Sequence, residues 1–180
     1  MMIPVRLPIL PTLALLVATS GCVPNSVSYY RPTLEGGTIV EERCVPIESG
    51  VDFAVGWLPV RARVIQGKDG DRIALILSPM PGQEIRLTSN RFAVRDLATG
   101  QVLENLSIEV YRDDRLDSMT SPSPRVPGAR SFWVYVVLPE PAPAEFELTS
   151  PAVLVNGIEH AFPVIRFERK VWMGISPFNC

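Results

Sequence analysis

From Val51 onward, apolar and polar positions alternate with a period of two. That is the spacing at which successive side chains of an extended chain fall on opposite faces. Val60, Ala62 and Val64 alternate with Arg61 and Arg63, and Ile85 and Leu87 with Glu84 and Arg86. Phe92 and Val94 are set among Arg91, Ala93 and Arg95; Ile108 and Val110 among Ser107, Glu109 and Tyr111. Phe146 and Leu148 alternate with Glu145, Glu147 and Thr149, and "AVLV" and "VIRFER" follow. Two segments are apolar on both faces. In "RIALILS", Ile73, Leu75 and Leu77 oppose Ala74 and Ile76, which predicts a strand covered on both sides. "SFWVYVVLP", residues 131–139, is the most apolar stretch of this region and predicts a central strand.

The breaks between these segments are turn chemistry. Asp69-Gly70 and Asn156-Gly157 are the strongest short hairpin signals, since both dipeptides tolerate positive φ. Thr99-Gly100 is a third. Pro79, Pro81, Pro139, Pro141, Pro143 and Pro151 stand between alternating segments, where a missing N–H breaks no ladder. No window has helical spacing with caps; one short helical turn near Leu116–Met119 fits the pattern. About eight or nine short strands with frequent turns predict an all-β fold: an Ig-like antiparallel β-sandwich, with a β-barrel as the alternative.

The first residues follow a different rule. Met1 to Arg6 carries one positive charge, Leu7 to Val17 is apolar apart from Thr12, and small residues follow. This is the order of a secretory signal peptide. A membrane-spanning helix needs about 20 apolar residues, and Pro8 and Pro11 further oppose one. The segment ends at Ser20-Gly21-Cys22, which resembles the lipobox of bacterial lipoproteins; Thr19 stands where that pattern usually has Leu. The resemblance covers about 22 residues and implies diacylglycerol on Cys22, with a new N-terminus there. Val23 follows rather than Asp, and in lipoproteins of Gram-negative bacteria that favours the outer membrane, facing the periplasm. The organisation expected is a signal peptide over 1–21, a lipidated N-terminus and tether over 22–43, and one β-domain over 44–180. Within the tether, Tyr29-Tyr30 is expected to pack back on the domain.

With Cys22 acylated, Cys44 and Cys180 are left, and an oxidising compartment lets them pair. The loop closed would exceed 100 residues, for which chain entropy gives about 5 kcal/mol. Two free thiols are the other reading. The charge balance, 17 Lys+Arg against 19 Asp+Glu for a net −2, comes with no basic run and excludes a nucleic-acid binder of the phosphate-contacting kind.

Candidate chemistry is thin. His160 is the single histidine, four residues past Asn156, with no Gly-x-Ser-x-Gly elbow for it to serve. Asp69 and Asp71 in "KDGDR" read as a hairpin turn, without the later glutamate or spacing of a calcium loop. No metal set, phosphate loop or cofactor motif is present, so no cofactor is expected. The long gap between strands, "RDDRLDSMTSPSPRVPGAR", is either a tolerated insertion or a candidate binding loop through Arg112, Asp113, Asp114, Arg115, Asp117, Arg125 and Arg130. Arginine forks onto carboxylate or phosphate, which suits an anionic envelope component or an envelope protein. The expected function is therefore a non-enzymatic binding or structural module, anchored to the membrane and facing the periplasm. The alternatives are a cell-wall hydrolase using loop carboxylates, and an inhibitor or accessory subunit of an envelope machine.

Overall fold

The computed structural model describes residues 24–43, 45–112, 115–116 and 131–175. It is all-β, with fifteen strands among the described residues. The first five are β1 (Pro24–Thr33), β2 (Thr38–Glu41), β3 (Glu48–Val55), β4 (Leu58–Ile65) and β5 (Arg72–Leu77). Next come β6 (Ile85–Leu87), β7 (Ala93–Asp96), β8 (Val102–Leu103), β9 (Ile108–Arg112) and β10 (Arg115–Leu116). The last are β11 (Phe132–Val137), β12 (Glu145–Thr149), β13 (Val153–Val155), β14 (Ile158–His160) and β15 (Ile165–Ile175).

They form three antiparallel sheets in a β-sandwich, and none closes into the alternative barrel. A seven-stranded sheet runs β10-β9-β11-β5-β4-β3-β2, and a five-stranded sheet β1-β15-β12-β7-β8. A small third sheet, β14-β13-β6, completes the layers. The period-two segments account for the core. The seven-stranded sheet sends in Val51, Leu58, Val60, Ala62, Ile73, Leu75, Leu77, Val110, Phe132, Val134 and Val136, all buried. Val94, Phe146, Leu148, Ile165 and Phe167 come from the five-stranded sheet, and Ile85, Leu87, Val153 and Val155 from the third, in one contiguous cluster. Each such side chain contributes about 1.5–3 kcal/mol relative to exposure. Phe146 stacks on Phe167 at 5.1 Å and meets Tyr30 edge-on at 5.6 Å.

Asn156-Gly157 makes the expected tight turn, both residues at positive φ (52° and 84°), between β13 and β14. Gly100 takes φ 74° between β7 and β8. The Asp69-Gly70 hairpin forms between β4 and β5, but only Gly70 has positive φ, and the turn closes from Gly70 N to Gly67 O at 3.3 Å. Leu116, expected in a helical turn, lies in β10; residues 117–119 lie outside the described residues.

Two expectations are corrected. The strands number fifteen rather than eight or nine, because several have only two or three residues and carry too little sequence to show a period. Residues 24–41 also do not form a bare tether. They make β1 on β15 and β2 on β3, so sheet pairing begins before residue 44. Tyr30 does pack back as expected: it is buried, and its hydroxyl donates to Pro143 O at 3.0 Å.

Candidate functional site

Each strand that buries one face must present the other. On β4, β5, β9 and β11 the presented positions are Arg61, Arg63, Ala74, Ile76, Glu109, Tyr111, Trp133 and Tyr135. Register lines them up in rows. One row runs Asp52, Arg61, Ile76, Trp133, Tyr111 across five strands. The next runs Arg63, Ala74, Tyr135, Glu109. Ala74 is fully buried although it faces outward, because Arg63 and Tyr135 flank it in its row. The strand expected to be covered on both sides is covered at Ala74, while Ile76 on the same outer face is half-buried and lines a hollow.

The aromatic side chains form a platform. Trp133 and Tyr135 stack at 6.0 Å with ring planes 27° apart, and Tyr111 meets Tyr135 edge-on at 5.5 Å. The Arg63 guanidinium lies 5.7 Å from the Trp133 ring centroid. Around them, Arg61 grips Asp52 with two bonds of 2.6 and 2.7 Å. That carboxylate raises the Arg61 pKa and holds it cationic. Arg72 donates to Glu109 Oε2 at 3.1 Å, and the Tyr111 hydroxyl donates to the same oxygen at 3.2 Å. Arg63 differs from its neighbours: its Nε is buried with no hydrogen-bond partner, and no carboxylate pairs with it among the described residues. Two open hollows adjoin on this face and share Trp133. One, of about 620 Å³, is lined by Ile65, Arg72, Tyr111 and Tyr135 among others; the second, of about 470 Å³, by Asp52, Arg61, Arg63 and Ile76.

Compared with known proteins, the chain matches no family model, no curated protein and no solved structure. The site must therefore be read from its own chemistry. The acids on the face, Asp52 and Glu109, are each paired with an arginine. What the face offers is two near-parallel rings, a third ring at their edge and a cation over one of them.

Of the residues singled out from sequence, Cys22, Cys44 and Cys180 lie outside the described residues, as do Asp113, Asp114, Asp117, Arg125 and Arg130. Arg112 ends β9 and Arg115 opens β10, as cross-strand partners beside Tyr111. His160 sits in β14 against Gly56, where an added Cβ would come within 2.7 Å of the imidazole. That is a packing role at a turn. Asp71 pairs with Arg169 at 3.6 Å. Among the described residues no group of three metal-ligating side chains forms. Trp133, Tyr135 and Tyr111 were not singled out. Their signal was present: aromatic residues at strand positions where a solvated face would carry polar ones.

Proposed function

We propose that this chain is a non-enzymatic binding module of the bacterial cell envelope. It is held at the periplasmic face of the outer membrane by lipid on Cys22 and takes an acidic glycan on the outer face of the seven-stranded sheet. The observation that carries the reading is the Trp133–Tyr135 platform with Arg63 above it. Aromatic rings pack against the C–H groups of sugars, and the Arg63 guanidinium over Trp133 places a charge within the same surface. Arg63, with no carboxylate partner among the described residues, is the cation left to receive an acidic group. Shallow hollows side by side suit an extended chain better than a compact substrate. The candidate binding loop, residues 112–130, stays part of the proposal through its neighbours in sequence, Tyr111 before it and Trp133 after it. Cys44 and Cys180 are the pair left for a disulfide, which non-reducing peptide mapping would detect.

Recovery of carboxylated cell-wall glycan on the immobilised, acylated protein tests the binding. Trp133→Ala should lower it at least about tenfold, and Arg63→Gln should lower it for acidic glycan more than for a neutral one. Equal recovery by folded Trp133→Ala protein, checked by its melting curve, would overturn the reading. For the anchor, Cys22→Ser should move the protein out of the membrane fraction; fractionation like wild type would remove the lipid from the account.

A further inference from the structure

The edge pair of the five-stranded sheet outruns the sandwich. β1 and β15 pair from Thr33 opposite Arg166 to Pro24 opposite Ile175. The third strand, β12, pairs with β15 only over Ile165–Glu168. Beyond it a two-stranded ribbon continues. Its root is fixed where Tyr30 faces Arg169: Arg169 lies 4.9 Å from the Tyr30 ring centroid, donates to the Tyr30 hydroxyl at 3.1 Å from Nε and pairs with Asp71.

The outer part of the ribbon, "PNSVS" against "VWMGI", contains no charged residue. Val171 and Met173 are 63% and 78% exposed, on the strand face that is buried at Phe167 but here has passed beyond the opposing sheet. Trp172 lies over Gly174, where a Cβ would come within 2.3 Å of its ring. Immediately inward the pattern changes to Tyr29 opposite Lys170 and Tyr30 opposite Arg169. Of these, Tyr30 is buried in the core, Lys170 pairs with Glu168 and Arg169 with Asp71, so the uncharged end gives way to Tyr29 and paired charges, as an apolar surface does at a membrane–water boundary. Cys22 precedes Pro24 by two residues, at most about 7 Å of chain.

We infer that the free end of the β1–β15 ribbon rests in the membrane interface, with Val171, Met173 and Trp172 at headgroup depth. This rests on lipidation of Cys22, since the short link holds the ribbon end beside the acyl chains. The contact stops at the headgroups because, among the described residues, no further strand pairs with the outer edges of the ribbon, and hydrocarbon would leave their N–H and C=O groups unsatisfied. It would fix the domain's orientation on the membrane, which an acylated flexible tail alone would not.

The full acylated chain is reconstituted in phosphatidylethanolamine and phosphatidylglycerol vesicles carrying brominated acyl chains. A Trp57→Phe, Trp133→Phe protein leaves Trp172 as the sole indole. Its emission should fall at least about twofold relative to vesicles without bromine. Adding Val171→Asp and Met173→Asp should abolish the quenching while flotation persists. As a readout without substitution, the wild-type amides of 25–29 and 170–174 should exchange at least about threefold slower on vesicles than in detergent. Flotation with neither quenching nor slowed exchange overturns this inference and leaves the lipid anchor standing. Failure to float overturns both. Slowed exchange only when envelope proteins are added would put a protein on the ribbon instead of lipid and overturn it too.

Discussion

The two outer faces of the sandwich are built by the same alternation and both carry ion pairs, but only one carries a cluster of aromatic rings. On the five-stranded sheet the outward positions carry charge pairs: Arg95 with Glu147 at 3.7 Å and Arg166 with Glu145 across strands, and Lys170 with Glu168 along β15. Arg166 and Arg95 stay more than half exposed. Such pairs contribute about 0–1 kcal/mol each and keep a sheet face wet. On the seven-stranded sheet the same positions also carry ion pairs, Arg61 with Asp52 and Arg72 with Glu109, but among them stand Trp133, Tyr135, Tyr111, Ile76 and Ala74, half-buried or buried. Both faces cover well-filled cores, so core packing does not require the difference. Polar residues would have served the second sheet as well as they serve the first. Aromatic side chains on an outer face, beside an Arg63 that pairs with no carboxylate among the described residues, are the observation from which binding on this face is proposed.

The contrast can be broken or sharpened by substitution. Phe146→Ala should cost about 3–5 kcal/mol, because Phe146 is fully buried between Tyr30 and Phe167. Denaturant unfolding should remain one transition, since the core is continuous; two transitions would mean that the two sheets are independent. Trp133→Ala should lose at least about tenfold in glycan affinity, while its stability loss stays within about 1–3 kcal/mol for a half-buried side chain. Tyr30→Phe should cost about 1 kcal/mol near neutral pH through the lost bond to Pro143 O. It should also change the alkaline limb of stability. Burial raises the Tyr30 pKa above its ordinary 10.0. The folded chain therefore holds that proton more tightly than the unfolded one, so the contribution is full below pH 10 and declines as pH rises past it. A melting-temperature series in alkaline buffers should be flatter for the Phe variant. The smallest effect is expected from Glu147→Gln on the charged face: within about 0.5 kcal/mol, with unchanged glycan recovery. A loss of binding there would erase the distinction between the faces.

How much of this was legible in the chain follows from which interactions are local. Val60, Ala62, Val64 and Ile73, Leu75, Leu77 state their strand character within a few residues, and Asn156-Gly157 states its turn in two. β1 does not. "PNSVSYYRPT" has no sustained alternation, and its partner β15 lies at the other end of the chain. An edge strand tolerates Pro32, and long-range pairing supplied what local sequence lacked. Likewise the Gly56-Trp57 turn between β3 and β4 has Gly56 at φ 58°, but it lacks the Asx-Gly pair that flags such turns. The aromatic face was half legible. Trp133, Tyr135, Arg61 and Arg63 could each be placed on the outer side of a strand. Their assembly depended on register across β4, β5 and β11, which alternation within one strand does not specify.

The central claim is that a ligand lies on the seven-stranded sheet, and the three tryptophans separate this from the other surfaces. Trp133 is on the proposed face, Trp57 is 79% exposed at the β3–β4 turn, and Trp172 is on the ribbon. Indole N–H signals followed by NMR during titration with carboxylated cell-wall glycan test it most directly. The Trp133 signal should move to saturation while Trp57 and Trp172 stay in place. A Trp133 signal that does not move at saturating glycan, or movement confined to Trp57 or Trp172, would contradict the account.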